Sequence, residues 1–355
     1  MASDSRGDLR VGLIGFGLGG AFFHAPLIAA TPGLKLTTVV TGNAERQAQA
    51  LRDYPGVQVV SDPDQLWRSA ADLDLVVIST PNSSHVKLAL AALDASLPVV
   101  IDKPFAPTSA EARQVTAKAR EKGLAVSAYH IRRWDSECRT LSELLDRGEL
   151  GRVLRFESRL ERWRPEPKGG WKERPEPEEA GGLLYDIGSH LIDQALHLFG
   201  PVREVYAELD IRRAGAGTDD DVFVALTHQS GVRSHLWTSC LAAEAGARMR
   251  VMGDRAAFVK QKGDVQEAAL RAGQRPGGAG WGEDPQDQWG ILGDGNTRRA
   301  VPSVPGAYQE FYGGMVRALR DGAPLPVDPQ DAVAGLEIIE AAQRSSARRQ
   351  VISLA

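Results

Sequence analysis

Three groups of side chains in this 355-residue chain have the types and spacing that chemical work requires. The first lies in the helical stretch Gly182–Phe199, where Asp186 and His190 stand four residues apart and Asp193 and His197 extend the series. Residues four apart share one face of an α-helix. A carboxylate one turn before an imidazole can fix its tautomer and raise its basicity for general acid–base chemistry. A metal could use the same stripe, and so could a solvated polar face; spacing leaves the three readings open. The second group is Ile101-Asp102-Lys103-Pro104, which follows the apolar run Leu97–Ile101. A lysine at such a rim is partly desolvated, which lowers its pKa and suits it to donate to a reacting oxygen; the plainer reading is a turn-capping Lys. The third is Gly15-x-Gly17-x-x-Gly20, with Phe16 and Leu18 among the intervening residues. Glycine is required where a strand turns tightly into a helix and a pyrophosphate approaches the helix N-terminal N–H groups.

The stretch about twenty residues beyond these glycines bears on which dinucleotide fits. It reads Val39-Val40-Thr41-Gly42-Asn43, without the acid that holds an NAD ribose. Thr41 and Asn43 can hydrogen-bond a 2′-phosphate and Arg46 can pair with it, which favours NADP and leaves NAD possible. As an alternative, Arg46 is an ordinary exposed helix residue beside Glu45.

The elements that must position these groups follow from the apolar pattern. Up to about residue 128, short runs alternate with helical stretches: Val11–Ile14, Leu36–Val40, Val57–Val60, Leu75–Ser79, Val99–Asp102 and Ala125–Tyr129. Such short, wholly apolar runs fit a buried parallel sheet, and repeated βα units imply a Rossmann-type, doubly wound fold. Asn82 is expected to cap a helix over Ser83–Ala95, Thr108 with Glu111 to form a capping box, and Gly123 to end that helix. Beyond Tyr129 the pattern changes to helices near 136–147, 182–199, 308–320 and 329–347. Between them lie alternating segments at 153–160, 204–211, 222–228, 233–238 and 248–259. That implies an α+β domain with a largely antiparallel open sheet. The expected division is 1–128 for the dinucleotide and 129–355 for substrate binding and oligomerisation. Segments 164–180 and 263–307 are rich in Gly and Pro and read as loops, the second long enough to be either functional or mobile.

Composition excludes several classes. Lys plus Arg total 42 and Asp plus Glu 46, a net charge of −4, so no basic excess exists to pair with nucleic-acid phosphates. No apolar run is long enough to span a membrane. The start, MASDSRGDLR, has no signal-peptide core, and a cytoplasmic location is expected. Cys138 and Cys240 make no disulfide framework and read as ordinary thiols. His24, His228 and His235 read as structural or exposed.

Gly15–Gly20, Asp102-Lys103-Pro104 and Asp186 four residues before His190 together resemble the Gfo/Idh/MocA oxidoreductases, over nearly the whole chain. Asp102 stands where that family has Glu in its E-K-P motif. Phe23-His24-Ala25-Pro26, Gly306-Ala307-Tyr308 through Phe311-Tyr312, Val327-Asp328-Pro329 and Ser345-Ser346 are similar to the branch containing NADP-dependent scyllo-inositol dehydrogenases. That likeness also implies that 263–307 is ordered.

The resemblance implies roles. Lys103 orients substrate and nicotinamide, His190 exchanges the hydroxyl proton, and Asp186 positions that imidazole or binds a neighbouring hydroxyl. Thr80, Pro81, Asn82 and His85 line the ribose and nicotinamide, joined by Asp102. His130 stands where the family often has Asn, Trp171 reaches the cofactor, and no metal is needed. A polyol would find hydrogen-bonding groups among Tyr129, Arg132, Tyr185, Asp186, His190 and Tyr308. The implied activity is hydride transfer between nicotinamide and a secondary alcohol of a sugar or cyclitol, in a homodimer or homotetramer. Two rivals are an NAD-retaining glycoside hydrolase of the same fold and a non-catalytic NAD(P) sensor, though a sensor has no need of Lys103, Asp186 and His190 together.

Overall fold

The computed structural model of the chain describes residues 7–354; the start at 1–6, read above as leaderless, and Ala355 lie outside the described residues. Six strands, β1 (Leu9–Ile14), β2 (Leu34–Val40), β3 (Gln58–Val60), β4 (Leu75–Ile78), β5 (Val99–Ile101) and β6 (Val126–Ala128), form one sheet in the order β3-β2-β1-β4-β5-β6. Every pairing is parallel. The apolar runs become strands because helices cover both faces: β4 and β5 are buried along their whole length. The order reverses between β1 and β4, and ligands of such sheets bind beyond the strands' carboxyl ends there. The glycine-rich turn, Ser79 and Asp102 sit at those ends.

Local signals are partly realised. Thr108 accepts from the Glu111 N–H at 3.2 Å and caps the helix Ser109–Lys122, which ends at Gly123 with φ 62°. Asn82 does not cap its helix. A 3₁₀ turn, Asn82–Ser84, precedes the α-helix His85–Asp94, and the Asn82 amide instead donates to Glu179 O at 2.9 Å. A buried carbonyl from the other half of the chain is the partner it satisfies.

The second sheet has nine strands: β7 (Val153–Glu161), β8 (Val202–Asp210), β9 (Asp221–His228), β10 (Arg233–Ser239), β11 (Met249–Gly253), β12 (Ala257–Lys260), β13 (Gly290–Gly293), β14 (Arg298–Val301) and β15 (Ile352–Ser353). Their order is β14-β13-β12-β11-β7-β10-β9-β8-β15, antiparallel throughout except between β7 and β10. β9 alternates as its sequence implies, burying Val222, Val224, Leu226 and His228. Two expectations need correction. The stretch 248–259 is a hairpin, β11 and β12, rather than one strand. Segment 263–307 is not one long loop, since it contains the helix Gln266–Arg271 and strands β13 and β14. These short strands carry little apolar pattern. Gly290 opens β13 because the Phe258 ring on β12 occupies the space a Cβ would need, 2.2 Å away.

The final helix, Pro329–Arg348, packs on β8, on the helix Ser189–Phe199 and on Ser109–Lys122 of the first sheet. Its Glu340 accepts from the Ser109 N–H and hydroxyl at 2.7 and 2.9 Å, placing a carboxylate at a helix N-terminus as the helix dipole favours. Both cysteines are buried, and burial pushes the Cys138 thiol up, away from reactivity.

Candidate active site

β1 leads directly into the glycine-rich turn. Gly15 has φ 96°, and a Cβ there would stand 2.2 Å from Ser79 O; one on Gly20 would stand 2.0 Å from Gly15 O. Only glycine lets the first turn lie this close to β4. The turn Gly19–His24 is a π-helix in which the Ala25 N–H reaches back five residues to Gly20 O. Leu18 is 51% exposed at its mouth, whereas Phe16 turns inward against Tyr54, ring centroids 6.3 Å apart. The Phe16 side chain is thus packed inside, and its backbone lies in the glycine-rich turn. At the end of β2, Asn43 caps the helix Ala44–Asp53 by accepting from the Arg46 N–H at 3.0 Å, and Thr41 is nearly buried. The Arg46 guanidinium comes back over the glycines, 3.7 Å from where a Gly17 Cβ would stand. A cradle that excludes side chains at a strand-to-helix turn, with a cation beside it, fits the phosphates of a dinucleotide.

Lys103 follows β5 through Asp102. The Asp102 carboxylate accepts from the Lys103 N–H at 2.8 Å and from the Ser79 hydroxyl at 2.9 Å, and lies 3.3 Å from His24 Nε2. Burial alone would raise this carboxyl; His24, Lys103 and His85 overcome it and hold it well below the usual range. Gly19 is needed for the same reason, because a Cβ there would lie 2.8 Å from Asp102 Oδ2. His24 is fully buried, as a structural histidine should be, but is tied to the site. Its Nδ1 is 2.6 Å from the Tyr312 hydroxyl, and its ring stacks on Tyr129 at 4.0 Å.

The Lys103 ammonium, 13% exposed, donates to Asp186 Oδ1 at 2.8 Å and to the Asp186 backbone carbonyl. A second ammonium, from Lys172, donates to the same Oδ1 at 2.6 Å. Burial opposes the Asp186 charge, but the two lysines hold this carboxyl far below its ordinary value. Burial lowers the Lys103 pKa, with Asp186 pulling it back and Lys172 adding to the decrease. Among the described residues Asp186 makes no hydrogen bond to His190, contrary to the geometry expected of the stripe. Residues Leu184–Gly188 form a π-turn in which the Ser189 N–H reaches Leu184 O, five residues back. Four residues then fall short of a full turn, and two cations are stronger partners for a carboxylate than a neutral ring. His190 is buried and its Nδ1 has no partner among the described residues. Burial, then Lys103, Arg132 and His130, press its pKa well below the usual value, leaving an uncharged imidazole. Lower in the stripe, Asp193 binds Arg133, with Oδ1 2.6 Å from Nη2.

The other expected residues divide into those at the cleft and those beneath it. Thr80 packs near Gly15, its hydroxyl accepting from Ser84 at 2.6 Å, and Pro81 is exposed at the rim. Trp171 sits half-buried in the loop that also presents Lys172. Arg132 pairs with Glu267 at 2.8 Å and acts on His190. His130 is buried beside Asp193, 3.8 Å away, and burial lowers its pKa. Four of the expected residues have side-chain partners within the protein. The Asn82 amide nitrogen donates to the Glu179 carbonyl, while its Oδ1 has no partner among the described residues. His85 lies under the loop, its ring nitrogens 2.9 Å from Thr80 O and Pro104 O. The Tyr185 hydroxyl donates to Pro107 O at 3.1 Å, and that of Tyr308, fully buried, donates to Asp135 at 2.7 Å. Tight burial takes these two hydroxyls away from a substrate. Lys172 and Glu267 escaped sequence reasoning because both lie in Gly- and Pro-rich segments with no motif.

Two family profiles match the chain: "Oxidoreductase family, NAD-binding Rossmann fold" over residues 9–130 and "Oxidoreductase family, C-terminal alpha/beta domain" over 142–354. YdgJ, an uncharacterized oxidoreductase of Escherichia coli, is 40% identical over 98% of this chain and 99% of its own length. The scyllo-inositol 2-dehydrogenase (NADP+) IolW of Bacillus subtilis is 33% identical over 98% of this chain and 96% of its own. The solved structure of the oxidoreductase yvaA from Bacillus subtilis superposes with a TM-score of 0.93 at 33% identity, covering 98% of this chain and 99% of that one. The residues matched span the glycine-rich turn, the lysine after β5 and the aspartate–histidine helix alike, and the chain belongs to the Gfo/Idh/MocA family of oxidoreductases.

Proposed function

We propose that this protein moves a hydride between NADP(H) and a secondary alcohol carbon of a sugar or cyclitol, with NAD the poorer cofactor. The observation that carries the reading is the buried, uncharged His190 on a helix whose Asp186 grips the Lys103 ammonium. A bound nicotinamide supplies the hydride acceptor or donor. Lys103 donates to the reacting oxygen and stabilises the negative charge that grows there. His190, uncharged at neutral pH, takes the hydroxyl proton during oxidation and returns it during reduction. Asp186 Oδ2, the oxygen the lysines leave free, accepts from a neighbouring substrate hydroxyl, which suits a polyol.

NADP is favoured by Arg46 at the glycine turn and by the missing acid at the end of β2; the relative IolW is described as using NADP+. The sheet face bearing Phe223 and Trp237, with Arg159 stacked 3.9 Å over the Trp237 ring, suits pairing into a homodimer or homotetramer. Among the described residues no helix is long and apolar enough to cross a membrane, and we place the protein in the cytoplasm.

The test follows reduced-nicotinamide absorbance with NADP and NAD offered separately against inositols and aldoses. Growth with NADP and a cyclitol or sugar supports the whole reading. Growth with NAD alone sinks the 2′-phosphate assignment, and sugar release without net change in cofactor redox state favours the hydrolase.

A further inference from the structure

Asp186 Oδ1 receives two ammonium groups, Lys103 at 2.8 Å and Lys172 at 2.6 Å. Lys103 comes from the cofactor-binding sheet. Lys172 comes from the loop between β7 and the helix Ser189–Phe199, and its side chain is 45% exposed. The loop is firmly anchored around it: Gly182 N–H donates to Lys172 O at 2.9 Å, and the neighbouring Glu173 binds the buried Arg213 at 3.0 Å. The second lysine is therefore placed rather than stray.

The arrangement matters because Lys103 cannot hold Asp186 and serve a reacting oxygen with the same N–H bonds. If it turned away alone, a buried carboxylate would lose its counter-ion, a costly state. We propose that Lys172 is a positioning residue for Lys103: by holding Asp186 Oδ1 it keeps that carboxylate compensated while the Lys103 ammonium turns to the substrate oxygen. The proposal deepens the dehydrogenase reading and rests on it for the identity of that oxygen.

The charged groups facing Lys103 are Asp186 and Lys172 from the second half of the chain and Asp102 on its own loop. The neutral rings of His130 and His190 lie nearby. Loss of Lys172 removes a like charge and leaves Asp186 to Lys103 alone. Both changes strengthen the hold of Lys103 on its proton and on Asp186.

Two measurements on the full chain test this, using Lys172→Met and Lys172→Arg. Trace acetylation of Lys103, quantified by peptide mass spectrometry across pH, needs neither cofactor nor substrate. Its midpoint moves to higher pH in Lys172→Met and stays near wild type in Lys172→Arg. In turnover assays Lys172→Met loses kcat by roughly tenfold or more with KM little changed, and the alkaline limb of its profile moves to higher pH; Lys172→Arg recovers both. An unmoved labelling midpoint in Lys172→Met overturns the proposal, and so does a loss carried by KM with kcat intact. Absence of turnover in the wild type with every polyol counts against the dehydrogenase reading, and the labelling result then decides the lysine question by itself.

Discussion

His24 Nε2 lies 3.3 Å from Asp102 Oδ2, joining the π-turn that follows the glycines to the residue that precedes Lys103. The Tyr312 hydroxyl is 2.6 Å from the other ring nitrogen. Burial pushes that phenol's pKa up, so it keeps its proton. His24→Ala removes one of the groups that hold the Asp102 charge while the Lys103 N–H and the Ser79 hydroxyl remain on it, and is expected to cost about 1 kcal/mol, read as a lower thermal midpoint and weaker cofactor binding. Tyr312→Phe costs less, because it leaves only a ring nitrogen unpaired. Equal stability of wild type and His24→Ala would remove the contact from the account.

Lys103→Ala removes the donor to the reacting oxygen. A fall in kcat on the order of 100-fold or more is expected, while cofactor affinity, measured by titration of intrinsic fluorescence, changes little. Turnover like that of the wild type would exclude Lys103 from the chemistry.

Arg46→Glu replaces the cation against the glycine turn with a carboxylate that repels a 2′-phosphate. NADP affinity should drop by roughly tenfold or more, the scale of one charge-assisted contact, with NAD affinity unchanged or improved. Equal losses for both cofactors would mean that Arg46 touches something other than the 2′ position.

Burial lowers the proton affinity of His85, His130 and His190 in the folded chain. Below the ordinary histidine value of about 6.5 the unfolded chain binds protons that the folded one resists. Stability from this source is whole above that pH and decreases as pH falls. Asp102, Asp186 and Asp193, held low, add a second loss below the ordinary carboxylate range near pH 4. Burial acts the other way on Asp135, Asp219 and Asp264, whose raised carboxyls take up protons first in the folded chain and add stability as pH falls through the same window. The histidine share is therefore read by comparison: His130→Asn should lose less thermal stability than the wild type between neutrality and about pH 5. Equal changes in the wild type and His130→Asn over that range contradict this account.

The first sheet was legible because β4, β5 and β6 are wholly buried and read as bare apolar runs. The glycine turn and the Lys103 rim followed from where those runs end. The Asp186 and His190 positions were equally plain, but their relation was not. A π-turn hides within a sequence that reads as ordinary helix, and the partner that claims Asp186 lies in a loop without periodicity. Tyr185 and Tyr308 show a related limit: a tyrosine beside a site looks the same in sequence whether its hydroxyl faces substrate or a buried acceptor. Strands β13 and β14 were invisible because strands this short bury too few side chains to leave an alternating trace.

The contact of Glu340 with Ser109 ties the final helix to the cofactor half, and Ser127 reaches the same region through Val327 O at 2.8 Å. The nucleotide-binding half is thereby finished by residues synthesised some two hundred positions later. A fragment ending at Ala128 would lose the carboxylate at that helix start and uncover the apolar surface on which Pro329–Arg348 lies. Such a module is expected to be poorly soluble alone. Grafting this cofactor half onto another catalytic half would require carrying the C-terminal helix with it.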